Sequence, residues 1–379
     1  MKIPFNKPYL SGNETKYIAE AVQSGKISGD GIFTQKCHKF FETKYGFKKA
    51  LLTTSCTDAL EMAAILLDIK EGDEVIAPSY TFVSTVNAFV LRGAKIIFTD
   101  SSNENPNMDV DKIEPLITSR TKVLLPVHYA GIACDMDKIM ALAKKYDLFV
   151  VEDAAQAIDS FYKGKPLGSI GHLAAFSFHE TKNIISGEGG LLAINDERFI
   201  KRAEIIREKG TNRSSFFRGE VDKYGWVDIG SSFLPSEVIA AFLFAQIENI
   251  EQIQAKRKLI WDTYHQRLAP ISNGNFNLPF IPNYATNNAH MFYLIMNSLE
   301  ERSALIQHLK SLDILTVFHY LSLHKSPFYL NKYNGEELQN SDRYQDTLLR
   351  LPLYYDLSTD EVDFICNSIE DFFKAKRAL

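Results

Sequence analysis

Short apolar runs alternate along most of this chain with stretches of helical period, and that alternation restricts the fold more than any other feature. Runs of strand length occupy Ala50–Thr53, Glu74–Ala77, Lys95–Thr99, Lys122–Pro126, Leu148–Glu152, Ala174–Ser177 and Gly190–Ile194. Amphipathic stretches such as Ala59–Leu67 and Met136–Tyr146 lie between several of them. Strands alternating with helices predict βαβ units and a mostly parallel sheet covered on both faces. In such sheets ligands bind beyond the carboxyl ends of the strands. The residues just after each run are therefore the ones to inspect.

From Glu237 to Arg267 the pattern reads as one long helix or two in succession. Past it, Met291–Met296 and Ile314–His319 read as strands of a second, smaller α/β unit. A chain of 379 residues is too long for one ordinary core. The change of pattern predicts a large unit over 1–250 and a smaller one over 251–379.

Charge and cysteine content narrow the function. A net charge of −5 gives no reason to expect a polyanionic partner such as nucleic acid. No apolar run reaches the ~18 residues needed to span a bilayer. The opening MKIPFNKPYLSGNE lacks the apolar core of a signal peptide. Cys37, Cys56, Cys134 and Cys366 are scattered, with no CxxC pair, which suits neither a zinc site nor a disulfide scaffold. The expectation is a cytoplasmic protein with free thiols.

Three strand ends carry polar residues. The first run leads into Thr53-Thr54-Ser55-Cys56-Thr57-Asp58, where small hydroxyl residues meet the start of a helix. Free backbone N–H groups and the helix dipole make this a ready anion site. An ordinary helix cap looks the same. The second run is wholly apolar and delivers Glu152 and Asp153, followed by the tiny Ala154 and Ala155 and by Gln156. A carboxylate at the end of a buried strand needs a cationic partner. A protonated pyridinium nitrogen is one such partner, and a cap on the following helix is the alternative. The third run ends at Ser177 and is followed by Lys182 and by Gly187-Glu188-Gly189-Gly190. A lysine in a stretch suited to burial has a depressed pKa and becomes a nucleophile able to form an imine. The phosphate loops GxxxxGK[ST] and GxGxxG are absent.

Together these residues resemble the DegT-type sugar-nucleotide aminotransferases. The resemblance includes Ile3-Pro4-Phe5-Asn6, Ser24-Gly25-Lys26, Gly29-Asp30-Gly31, Pro78–Thr85, Pro126–Gly131 and His319-Tyr320 with His324. It implies the type I fold of pyridoxal 5′-phosphate (PLP) enzymes, a mostly parallel seven-stranded sheet with a smaller C-terminal α/β domain. It implies Lys182 as imine lysine and proton shuttle, Asp153 on the pyridinium proton, Gln156 at the ring hydroxyl and Phe82 stacked on the ring. Cys56, Thr57 and Ser177 would hold the phosphate. One departure is Ser232, which stands where the family often has an asparagine reaching the phosphate from the neighbouring subunit; a homodimer with a shared active site is implied by the family, whose active site is built at the subunit interface. Some relatives carry histidine in place of the lysine and act as dehydratases; Lys182 favours transamination.

Phe178–Asn183 and Arg207–Ser214 are most similar to enzymes that aminate TDP-4-keto-6-deoxyglucose at C4, with L-glutamate as donor. Amination at C3, a UDP- or GDP-linked sugar, and a PLP-binding regulatory module without turnover are the rival readings. Lys26, Arg213, Arg218 and Lys223 are cations suited to the diphosphate of a nucleotide sugar. Tyr224, Trp226, His319, Tyr320 and His324 are candidates to face sugar or base. His319 and His324 have no third ligand at suitable spacing, so no metal site is expected.

Overall fold

The computed structural model describes residues 2–377. All seven expected strands form, and they form one sheet. They are β1 (Lys49–Thr53), β2 (Glu74–Pro78), β3 (Lys95–Thr99), β4 (Thr121–Leu124), β5 (Phe149–Asp153), β6 (Leu173–Ser177) and β7 (Gly190–Ile194). Their order is β1-β7-β6-β5-β4-β2-β3. β7 runs antiparallel to both neighbours and the other pairings are parallel.

Period-2 alternation splits the strand residues between two cores. Leu52, Leu124, Val150, Ala174, Phe176 and Leu191 face one layer. Leu51, Val123, Val151, Leu173, Ala175 and Leu192 face the other. Both faces of β6 and β7 are buried along their full length, which is why these runs read as continuously apolar.

The first helix after a strand spans Cys56–Leu66 and starts three residues before the expected Ala59. Ser55 is the cause: its Oγ accepts from the Asp58 amide at 3.1 Å and caps the helix. Met136–Tyr146 is helical as expected. The Glu237–Arg267 pattern resolves into two helices in succession, Glu237–Ile247 and Ile250–Ser272.

A second sheet is wholly antiparallel. Its strands are β8 (Phe276–Asn277), β9 (Phe292–Met296), β10 (Val317–Phe318) and β11 (Leu348–Leu351), in the order β8-β9-β11-β10. The Met291–Met296 run thus becomes β9, whereas only Val317–Phe318 of the Ile314–His319 run is strand. A third core lies between this sheet and the helices Ile250–Ser272 and Thr359–Arg377. Ile3 belongs to that core and bridges Ile314. No helix among the described residues is long and apolar enough to cross a membrane. All four cysteines are free.

One distant carboxylate caps a helix. The helix Ile32–Tyr45 begins after Gly31, which has no side chain to cap with. Glu237 accepts instead from the amides of Gly31 at 2.9 Å, Phe33 at 2.9 Å and Thr34 at 3.1 Å. A Cβ on residue 31 would lie 2.7 Å from that carboxyl, so a side chain there would push Glu237 off the amides it caps. Glu237→Ala strands these donors in the interior, at ~1–3 kcal/mol each. We expect urea unfolding to show a loss of about 3 kcal/mol or more. A loss under about 1 kcal/mol would exclude Glu237 as a structural cap.

Candidate active site

A cavity of about 520 Å³ opens beyond the carboxyl ends of β1, β5 and β6. Lys182, Asp153, Gln156, Phe82, Cys56, Thr57, Ser177, His319 and Tyr320 all line it. A larger cavity of about 740 Å³ runs along the free edge of β3. Its buried acid, Asp100, is already bound by Lys112 at 3.2 Å and by Ser341.

Asp153 ends β5 and is almost fully buried. Its Oδ2 accepts from Thr85 Oγ1 at 2.7 Å and its Oδ1 from the Ala155 amide at 3.1 Å. The Thr85 proton is used there, so Thr81 donates to Thr85 at 2.8 Å. Burial pushes the Asp153 carboxyl above its ordinary range, and Thr85, the Ala155 amide and Lys182 offset this only in part. Asp153 has no salt-bridge partner among the described residues.

Glu152 has a different fate. It accepts from His128 Nε2 at 2.8 Å and from the amides of Gly168, Ile170 and Gly171 at 2.6–2.9 Å. His128 Nδ1 accepts from the Cys134 amide at 3.2 Å, which leaves the ring proton on Nε2 for Glu152. Burial alone would raise the Glu152 carboxyl, but these donors hold it below the usual range. Glu152 is a structural anchor under the site, and Asp153 is the acid that faces the cavity.

Lys182 sits in a loop pinned at its base, with Phe178 N–H donating to Gly189 O at 2.8 Å and Ser186 N–H to Phe178 O at 2.7 Å. Asn183 fastens it from behind. Its Nδ2 donates to Gln254 Oε1 at 2.8 Å and Asn288 O at 2.7 Å, and its Oδ1 pairs with His290 Nδ1 at 2.8 Å. Burial lowers the Lys182 ammonium from its ordinary range, and the positive charge of Arg350 adds to the effect. A lowered pKa is the direction that makes a lysine amine a better nucleophile.

Gln156 is held at both ends of its amide: Oε1 accepts from the Ala130 amide at 2.6 Å and Nε2 donates to the Tyr320 hydroxyl at 3.0 Å. The Phe82 ring lies 6.0 Å from that of Tyr320. His319 Nδ1 meets the Tyr129 hydroxyl at 2.9 Å, and burial keeps its ring neutral. At the anion turn, Gly190 allows close approach; a Cβ there would lie 2.3 Å from the Ser55 carbonyl. Thr57 Oγ1 donates to Ser84 Oγ at 3.0 Å, and burial pushes the Cys56 thiol up, so it stays neutral beside an anion.

These groups fit PLP. A helix N-terminus can take a phosphate. A buried acid lacking a cation can take a ring-nitrogen proton, and an unpaired amine stands in the same cavity.

Several expected residues are not brought to it within one chain. Lys26, Arg213 and Arg218 line a separate cavity of about 460 Å³. Lys26 Nζ donates to Asp30 O at 2.7 Å, and Arg218 pairs with Glu204 at 2.9 Å and Glu220 at 2.7 Å. Tyr224 and Trp226 are exposed, and Lys223 lies in the same surface loop. Ser232 is exposed and bridges Glu208. His324 is buried against Ser79 Oγ at 2.7 Å and does not line the cavity of Lys182. Conversely, the structure adds Thr85, His290 and Arg350 to the cavity wall. Arg350 had a visible signal, a charge inside the apolar run Leu348–Leu353, and Thr85 closes the Pro78–Thr85 segment of the resemblance; His290 had none.

Comparison with known proteins agrees with this geometry. The model of the DegT/DnrJ/EryC1/StrS aminotransferase family matches residues 8–370. GDP-perosamine synthase of Escherichia coli O157:H7 is 33% identical over 99% of both chains. The spore coat polysaccharide biosynthesis protein SpsC of Bacillus subtilis is 32% identical over 98% of this chain and 97% of its own. Among solved structures, the PLP form of the sugar aminotransferase Spr1654 of Streptococcus pneumoniae, described as putative, superposes with a TM-score of 0.88 at 28% identity over 97% of each chain. The Streptomyces enzyme DesV (S. venezuelae), solved with a ketimine intermediate, gives 0.89 at 28% identity over 98% of each. The fold is that of the type I PLP-dependent transferases, and the matched region takes in all three strand ends that build the cavity: the chain belongs to the DegT/DnrJ/EryC1/StrS family of PLP-dependent sugar aminotransferases.

Proposed function

We propose that this enzyme transfers the amino group of L-glutamate to dTDP-4-keto-6-deoxy-D-glucose, giving dTDP-4-amino-4,6-dideoxy-D-glucose or its galactose epimer. The observation that carries the transamination is Lys182 and Asp153 in one cavity, neither of them in a salt bridge among the described residues. PLP, when bound, supplies a conjugated ring that takes up the electron pair left when a Cα–H bond breaks. Asp153 holds the proton on the ring nitrogen. Lys182 Nζ removes the donor's Cα proton and delivers it again, a general acid–base role worth ~10²–10⁴ in rate. Gln156 meets the ring hydroxyl, Phe82 covers the ring, and Cys56, Thr57 and Ser177 receive the phosphate.

The choice of C4 and dTDP rests on the likeness of Phe178–Asn183 and Arg207–Ser214 to the C4 enzymes. A GDP-linked 4-keto sugar is the second reading, favoured by the similarity to GDP-perosamine synthase. We further propose a cytoplasmic homodimer feeding O-antigen or lipopolysaccharide synthesis, divided into domains 1–250 and 251–379. The exposed Trp226, Phe217 and Ile32 are apolar surface suited to a subunit interface. Lys26, Arg213, Arg218, Tyr224 and Ser232 would then serve the partner's cavity. His319 and Tyr320 would face the sugar. His324 would act from behind, through Ser79.

Purified enzyme should absorb in the visible, and Lys182→Ala should lose both that band and at least ~10²-fold of turnover. A colourless wild type, or a fully active variant, would contradict the role of the lysine. The substrate is tested by offering the 4-keto dTDP sugar, its 3-keto isomer and a GDP 4-keto sugar with glutamate, and locating the new amine by NMR. The expected product carries nitrogen at C4 of the dTDP sugar; nitrogen at C3, or turnover confined to the GDP sugar, would replace this assignment.

A further inference from the structure

The cavity of about 740 Å³ along the free edge of β3 takes no part in the chemistry above. Its floor is a row of open backbone groups. β3 is the last strand of its sheet and pairs with β2 alone. Lys95 N–H donates to Asp73 O at 2.8 Å, and the Ser79 amide donates to Thr99 O at 3.1 Å. Alternation therefore turns Lys95, Ile97 and Thr99 toward β2, and the N–H and C=O of Ile96 and Phe98 toward the cavity. The fold closes both ends of this row. The Tyr329 hydroxyl lies against the Ile96 amide, and the Asp109 amide donates to Asp100 O at 2.8 Å. Between them the Ile96 carbonyl, the Phe98 amide and the Phe98 carbonyl have no hydrogen-bond partner among the described residues, although Ile96 and Phe98 are each only 3% exposed. Buried backbone groups are normally paired.

The row reads acceptor, donor, acceptor. Three groups are too few for the ladder of an added strand, and residues 328–338 wall the edge. Aromatic rings stand over it instead: Tyr329 lies 5.1 Å and Tyr333 6.1 Å from the Phe98 ring centre. The charges around it nearly cancel. Asp100 takes Lys112 and Asp111 takes Lys138, which leaves Lys95 and Lys332 against Glu336. The complement is a neutral planar heterocycle that offers donor, acceptor and donor along one edge and a π face to the rings. The amino group, N1 and C2–H of adenine come in that order, the last as a weak donor. Thymine offers acceptor, donor, acceptor, and in register meets like with like, so the base of the nucleotide sugar proposed above is not the occupant. We propose that this cavity is a second ligand site, separate from that of Lys182, and that it takes an adenine base. Its volume lies within the ~300–1,000 Å³ of small-molecule sites.

Adenosine is the probe. Holoenzyme is first saturated with dTDP and then titrated with adenosine by calorimetry. Binding with a Kd of about 1 mM or tighter is expected. N6,N6-dimethyladenosine, which lacks the amino donor, and 1-deazaadenosine, which lacks the ring acceptor, should each bind about 10-fold more weakly, the loss of one hydrogen bond. Thymidine should bind no better than these analogues. In hydrogen exchange followed by mass spectrometry, adenosine should slow exchange in the peptide covering residues 94–100 and leave that covering 53–60 unchanged. These readouts need no variant to fold. Leu116→Trp, whose indole fills the cavity, should abolish adenosine binding and keep the visible band and the transaminase rate. No binding at about 10 mM adenosine, equal affinity for the two analogues, protection at 53–60 in place of 94–100, or full binding by a coloured Leu116→Trp enzyme would each overturn the site.

Discussion

The site depends on one carboxylate kept inside the protein without a cation of its own. Asp153 accepts from one hydroxyl and one amide, and burial raises its pKa more than these and the charge of Lys182 lower it. Such a group is unfavourable unless a proton or a positive charge arrives to meet it. Its position is set by β5, a central strand flanked by β4 and β6 in parallel register. The apolar layers on both faces of the sheet make that strand end dry. A ring nitrogen bound there would keep its proton, because Asp153 is in no salt bridge among the described residues and gains by meeting a positive charge.

Glu152 and Asp153 are adjacent and chemically alike, yet their environments push them apart. The pleat sends one toward the His128 side and the other to the cavity. Glu152 collects backbone amides and the His128 proton and stays ionised. Asp153 is left poised. Two acids with divided roles are a familiar arrangement in enzymes, and here the division follows from strand alternation and from the glycines at 168 and 171 that lend their N–H groups.

The second sheet completes what the first begins. Arg350 comes from β11, and His290, His319 and Tyr320 from segments flanking β9 and β10. Asn183 ties the lysine loop to Gln254 and Asn288, and Asn288 donates in turn to the carbonyls of Gln156 and Ile158 at 2.8 Å. These bonds couple the position of Lys182 to the C-terminal elements as well as to the sheet that carries it.

By itself the sequence determined the large sheet, because fully buried strands must be written as uninterrupted apolar runs. It also pointed to the strand ends that meet at the cavity: Lys182, Asp153, Gln156, Cys56, Thr57 and Ser177 stand at or just after such runs and all line it. It was weaker where pattern is short. β8 is two residues long, and β11 is interrupted by Arg350, so neither stood out. Resemblance had already singled out Asp153 of the two neighbouring acids, but the physical reason, the pleat and packing that turn one to the cavity and the other to His128, came only with the tertiary structure. Only the structure drew Thr85, His290 and Arg350 to the wall, because sequence separation says nothing of distance across a fold. It also moved Lys26, Arg213 and Arg218 to another cavity and His324 behind Ser79. A basic or aromatic residue advertises its chemistry in the sequence, but where that chemistry points depends on the packing of elements far away along the chain.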